Sequence, residues 1–188
     1  MARTQPIRDP ELVQAFLSYY GNIGQYRNNL LLNLGVYTAL RISDILKLNT
    51  NDVYEFDKRR VRDYITVKEQ KTGKVKSIAL HPGVINALDM YFHSAVPGYP
   101  LILNTTTGTA ITRTHANRLI DEAAKAVRIP HRVSCHSLRK TFGYHAWKNG
   151  ISPMVLMEIY NHGSYSVTKL YLGVTQDDQN AVYLSLPI

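Results

Sequence analysis

Two runs of alternating residues, Val61 to Glu69 and Val75 to Leu80, flank the turn Lys71-Thr72-Gly73-Lys74 in a chain whose apolar residues otherwise recur mostly at helical spacing. In the first run Val61, Ile65 and Val67 fall on one side and Arg62, Tyr64, Thr66 and Lys68 on the other, the period-two pattern of a half-buried strand. The segment predicts a β-hairpin with a lysine-rich tip. Set among helices, it fixes the fold class as α+β, mainly α: a helical core with one small antiparallel sheet.

The helices are read from apolar stripes and their stop signals. Asp9-Pro10 starts a short helix that ends near Gly21, and a second runs from Gln25 to Leu40 with Leu30, Leu34 and Tyr37 on one face. Arg41 follows at its end, beside buried structure, and Ile42 to Leu48 continues as a short helical piece. Pro82 suits the first position of a helix whose stripe is Val84, Ile85, Leu88, Tyr91, Phe92 and Ala95. Leu101 to Leu103 reads as a short strand. Ala116, Leu119, Ile120, Ala123 and Val127 share one face of a helix capped by Thr112 or Thr114. Three more helices run from His136 to the stop at Asn149-Gly150, from Ser152-Pro153 to Asn161-His162, and over Ser166 to Leu172. The segment Asp177 to Leu186 completes the helical set.

Composition narrows the class of partner. At roughly 150 residues per domain, 188 residues with 45% hydrophobic side chains make one domain with a core. The apolar stretches fall far short of the roughly 20 residues of a membrane span, so no membrane partner is expected. The amino terminus lacks the apolar core of a secretory signal. One cysteine, Cys135, excludes an intramolecular disulfide and a cysteine-built zinc site, and His81, His93, His115, His131 and His145 show no metal-ligand spacing. A reducing cytoplasm is the expected location, and no cofactor or metal is expected. The net charge of +8 favours a polyanion such as DNA. Asp57 to Lys76 carries eight Lys/Arg against three acids and Arg113 to Lys148 eight against two, so the excess lies in two segments that can line one surface.

The chemistry is concentrated in five short motifs. They are Thr38-Ala39-Leu40-Arg41-Ile42-Ser43-Asp44, Gln70-Lys71-Thr72-Gly73-Lys74, His136-Ser137-Leu138-Arg139-Lys140-Thr141-Phe142, Asn161-His162, and Tyr171 nine residues after that histidine. Two guanidiniums offer planar forks of donors for the non-bridging oxygens of a phosphodiester, which lysine does not, and stabilise charge where it accumulates in the transition state. His136 lies three residues before Arg139, so a helix puts both on one face. A tyrosine of ordinary pKa, about 10, costs about 4 kcal/mol to ionise at pH 7, so it needs a cationic pocket and a base.

In order and spacing these motifs resemble the tyrosine recombinase (phage integrase) family over about residues 10 to 175. The resemblance implies that family's catalytic-domain fold and a site made of Arg41, Lys71, His136, Arg139, His162 and the nucleophile Tyr171. It also implies that Asp44 supports the site, that His136 is the general base, and that Lys71 is the acid for the leaving 5′-hydroxyl. Lys74 competes for that last role; Lys71 is preferred because it lies on the strand side of Thr-Gly. Lys74, Arg113 and Lys140 are candidate DNA contacts. The Leu-Gly-His usual in the family before the nucleophile helix is Tyr160-Asn161-His162 here.

The function implied is site-specific recombination or integration of double-stranded DNA through a 3′-phosphotyrosyl intermediate, independent of metal and ATP, in a bacterial, phage or mobile-element setting. The alternatives are type IB topoisomerase-like nicking and resealing, or a non-catalytic DNA-binding regulator of the same fold. Residues 1–175 are read as the catalytic domain. Because the first helix already begins at Asp9-Pro10, the family's amino-terminal core-binding domain is read as absent. Residues 176–188, with Val182, Leu184 and Leu186, form a tail of the kind family members donate to a neighbouring subunit. That implies a tetramer on DNA and a monomer or dimer free, against the simpler reading of a tail folded on its own core.

Overall fold

The computed structural model describes residues 4–92, 97–174 and 176–185. In chain order the helices are α1 (Pro10–Asn22), α2 (Tyr26–Tyr37), α3 (Ile42–Ile45), α4 (Thr50–Val53), α5 (Pro82–Tyr91), α6 (Arg113–Ala126), α7 (Cys135–Lys148), α8 (Pro153–Tyr160), α9 (Tyr165–Leu172) and α10 (Gln176–Leu184). The strands are β1 (Tyr54–Glu55), β2 (Arg60–Val61), β3 (Tyr64–Lys68), β4 (Val75–Ala79), β5 (Leu103–Asn104) and β6 (Thr109–Ala110). Ala95 and Leu186, expected in a helical stripe and in the tail, lie outside the described residues.

α2 is the central element. Residues 28 to 36 are all buried, and α1, α5 and α7 pack around it. Caps stand where the sequence puts them: Asp9 accepts from the amides of Glu11 and Leu12 at the start of α1, Thr112 from His115 N at the start of α6, and Ser152 from Met154 N at the start of α8. A second, smaller cluster of Ala39, Leu156, Tyr160 and Leu172 joins α7, α8 and α9, with Phe142, Ile159 and Tyr171 packed against it. The candidate site lies where this cluster meets the main core.

Four expectations are corrected. α2 stops at Tyr37 rather than Leu40, because Thr38 Oγ1 donates to Leu34 O at 2.6 Å and Ala39 takes a left-handed backbone (φ 54°). The run from Val61 to Glu69 is two strands in two ladders. Val61 pairs with Tyr54, Arg62 N then donates to Val53 O at 2.9 Å, and only from Tyr64 does the chain pair with β4, in the register Tyr64↔Ala79 to Lys68↔Val75. Among the described residues the single sheet is therefore divided into three small antiparallel ladders, β1-β2, β3-β4 and β5-β6. Leu101 and Ile102 form a buried turn, and the strand begins at Leu103.

Candidate active site

Arg41 stands at the N-cap of α3 in extended conformation, brought there by the left-handed turn at Ala39. That same turn presents the Ala39 carbonyl to Arg139 Nη1. Arg139, on α7, is 2% exposed, and its Nη2 donates to Tyr160 O at 2.8 Å. Arg41 Nη2 reaches the same carbonyl at 3.5 Å. One backbone oxygen thus holds the two guanidiniums side by side.

His136 and Arg139 share a face of α7, and Thr168 and Tyr171 share a face of α9, both at a spacing of three. His136 Nε2 lies 2.7 Å from Tyr171 Oη. His162, two residues past the end of α8, has its Nδ1 3.0 Å from Thr168 Oγ1, and its ring centroid is 4.7 Å from that of Tyr171. Lys71 occupies the hairpin turn, exposed, where Gly73 (φ 68°) donates its N–H to Glu69 O at 2.9 Å. Arg41, Lys71, His136, Arg139, His162 and Tyr171 all line one cleft of about 400 Å³, together with Arg113 from the first turn of α6.

The cleft is strongly cationic, and its histidines respond. Burial, then the charges of Arg139, Arg41, Lys71 and Lys76, push His162 down to about 4. Partial desolvation and the charges of Arg139, Lys140, Arg113 and Arg41 push His136 below its ordinary value. Both imidazoles are therefore neutral at pH 7.

Among the remaining candidates, Asp44 is 2% exposed and its Oδ1 accepts from Gln70 N at 3.0 Å, so it pins the hairpin rather than pairing with Arg41. Lys74 is exposed at the hairpin tip. Lys140, expected to face DNA, turns inward: its Nζ donates to Thr4 O at 2.7 Å and sits 5.8 Å from the Tyr171 ring centroid. The reason is helical geometry, since one residue past Arg139 is about 100° further round α7, towards the amino-terminal segment.

Three residues that shape the site are given no role by the motif reading. Glu69 is buried at 1% exposure, with its Oε2 3.1 Å from Arg41 Nη1 and its Oε1 3.1 Å from Lys76 Nζ. Its burial opposes ionisation, but hydrogen bonds from Asn161, Thr72 and Lys76 win and hold it down to about 2. Lys76 also donates to Ile159 O. Tyr160, fully buried, is the platform beneath the site: Arg139 lies 4.5 Å over its ring, His162 stacks on it at 5.0 Å, and the Tyr171 ring lies tilted against it at 5.1 Å. The alternation carried a signal for two of them. Glu69 continues the buried parity of Ile65 and Val67, and Lys76 that of Ile78 and Leu80, so each charge stands where the strand pattern calls for an apolar residue.

Comparison with known proteins gives a consistent result. The model of the phage integrase family matches residues 9–177. The chain is 34% identical over 179 residues to the probable integrase/recombinase YoeC of Bacillus subtilis, covering 95% of this chain and 94% of that protein. It is 25% identical over 169 residues to tyrosine recombinase XerD of Staphylococcus saprophyticus, covering 86% of this chain and 55% of that protein, so it spans about half the length of such relatives. Among solved structures, XerA recombinase superposes with a TM-score of 0.77 at 19% identity, over 96% of this chain and 65% of that one. A lambda integrase dimer bound to a COC′ core site gives 0.68 at 19%, over 92% and 60%. At these identities the likeness to the solved structures is one of fold, that of the tyrosine recombinase catalytic domain.

Proposed function

The chain belongs to the phage integrase family, and from that premise we propose that it is a site-specific DNA recombinase that cuts and rejoins double-stranded DNA through Tyr171. The observation that carries this reading is the 2.7 Å contact between Tyr171 Oη and His136 Nε2 in a cleft that also holds two arginines.

In the proposed step the scissile phosphate binds between Arg41 and Arg139, whose remaining donors take its non-bridging oxygens. Neutral His136 accepts the phenolic proton at Nε2 as Oη attacks phosphorus. The Oη–P bond forms, the P–O5′ bond breaks, and Lys71 Nζ gives a proton to O5′. With the Thr168 hydroxyl donating to Nδ1, His162 carries its own proton on Nε2 and offers it to a phosphate oxygen. The phosphotyrosyl bond conserves the energy of the bond it replaces, so attack by a 5′-hydroxyl reverses the chemistry without ATP. The arginines supply the charge stabilisation that a divalent ion gives in other phosphoryl transfers.

Nicked suicide DNA incubated with the protein in EDTA tests the reading. A covalent adduct on a denaturing gel is expected from the wild type and from Tyr165→Phe, and none from Tyr171→Phe. Adduct formation by Tyr171→Phe would overturn the assignment.

We further propose that α10 engages a neighbouring subunit on DNA. In support, Val182, Tyr183 and Leu184 are 61%, 76% and 87% exposed, an apolar end left uncovered by the described residues. The base of the helix is held by the pair Lys148 Nζ–Asp178 Oδ1 at 2.5 Å.

A further inference from the structure

Glu69 lies beneath the cleft rather than in it, its side chain wholly enclosed, and it touches every segment that carries a cleft cation or histidine except α6 and α7. Oε2 accepts from Asn161 Nδ2 at 2.6 Å and from Thr72 Oγ1 at 2.7 Å, and lies 3.1 Å from Arg41 Nη1. Oε1 lies 3.1 Å from Lys76 Nζ. Asn161 is the residue before His162, and Thr72 the residue after Lys71. One carboxylate therefore joins the start of α3, the turn that bears Lys71, and the loop that bears His162. These three segments are far apart in sequence.

Asn161 makes the arrangement more specific. Its backbone is left-handed (φ 52°, ψ 46°), a conformation in which glycine is at ease and asparagine is tolerated at a cost. Among the described residues its side chain makes one hydrogen bond, to Glu69. A carboxylate enclosed in protein is itself expensive unless every oxygen is compensated; here Lys76 meets Oε1, while Oε2 is met by Arg41 and by the neighbours of Lys71 and His162.

We infer that Glu69 is the positioning residue of this site, setting Arg41, the Lys71 turn and the His162 loop relative to one another for the cleavage step. It rests on the reading of the site as a DNA-cleaving centre. Removing its charge leaves Arg41 Nη1 and Lys76 Nζ, both turned inward, without their counter-ion, so each is free to leave the geometry in which the phosphate is held. A catalytic group misplaced by about an ångström costs on the order of 100-fold in rate.

The test measures two quantities with the full chain and nicked suicide DNA: the rate constant of adduct formation at saturating DNA, and the dissociation constant for the same DNA. In Glu69→Gln the rate is expected to fall on the order of 100-fold, while affinity is unchanged or tighter because a negative charge beneath a basic cleft has been removed. Asn161→Gly, which removes one arm and suits the left-handed backbone, is expected to lose less in rate and nothing in affinity. Glu55→Gln removes a surface carboxylate that collects three cations, Lys58, Arg60 and Arg62, where Glu69 collects two, and is expected to keep the wild-type rate. A Glu69→Gln protein that cleaves at the wild-type rate, or a Glu55→Gln protein that loses as much, would overturn the inference. If Glu69→Gln does not fold, Asn161→Gly and Thr72→Val decide, and wild-type rates in both would overturn it. A wild type that forms no adduct sinks the reading of function and this inference with it, whereas adduct from the wild type at a rate unmoved by Glu69→Gln sinks this inference alone.

Discussion

At Tyr171 the proposed chemistry turns on one proton and one neighbour. His136 must be neutral to accept it, and burial, together with the surrounding cations, lowers the imidazole pKa, so the proposed base is in its working form throughout the neutral range. The sign follows: the rate of adduct formation is flat from pH 7 upward through the neutral range and falls as pH drops below the ordinary histidine value of about 6.5, when His136 takes a proton of its own. His162, held near 4, adds no second step in that window. Single-turnover rates between pH 5 and 8 check this, and His136→Gln is expected to lose both the rate and the acid limb. The tyrosine and its partner histidines are legible from spacing because the chemistry demands those residue types. Glu69 and Lys76 are legible only as misplaced charges in a strand pattern, and their partners are not legible at all, since Arg41 and Asn161 meet Glu69 from 28 and 92 residues away.

At the scale of elements, three helix-to-helix contacts decide where the cleft-lining groups of α7 and α9 stand. α7 carries His136 and Arg139, α9 carries Tyr171, and between them the Tyr160 ring at the end of α8 sets their separation. Gly143 on α7 permits this, because a Cβ there would collide with the Tyr160 hydroxyl, which donates to Arg139 O at 2.8 Å. Gly143→Ala is therefore expected to push the Tyr160 platform away, with an overpacking cost of roughly 1–3 kcal/mol and a thermal midpoint lowered by roughly 2–12 °C. It should also reduce adduct formation, since the Tyr160 carbonyl that holds both arginines moves with the ring. Adding Tyr160→Phe removes the colliding oxygen and is expected to recover part of the midpoint; calorimetry on the single and double variants measures both. Helix existence was readable throughout this region, from Ser152-Pro153 and Asn149-Gly150. The premature end of α2 was not, because it depends on a left-handed Ala39 stabilised by what packs on it, Arg139 included.

For the whole molecule, the charge excess divides between two tasks. Arg41, Lys71, Arg113 and Arg139 face one cleft, whereas Lys140 and Lys76 hold the protein to itself. The exposed apolar end of α10 bears on assembly instead. Truncation after Asp178 keeps the Lys148 pair but removes the exposed Val182, Tyr183 and Leu184. Light scattering of DNA complexes is expected to show higher-order assemblies for the full chain and their loss for the truncated one; equal mass in both would count against a tail shared between subunits. The sequence by itself determined the helical period, the hairpin, the caps and the identities of the six cleft-lining groups, because each rests on local spacing or on chemistry that admits few residue types. Only the tertiary structure decided that one carbonyl, of Tyr160, meets both arginines and that one carboxylate, of Glu69, meets Arg41, Thr72 and Asn161. It also turned Lys140 inward and divided the expected strand between two ladders. Such pairings join residues distant in the chain, and their energy exists only once the core has closed around them.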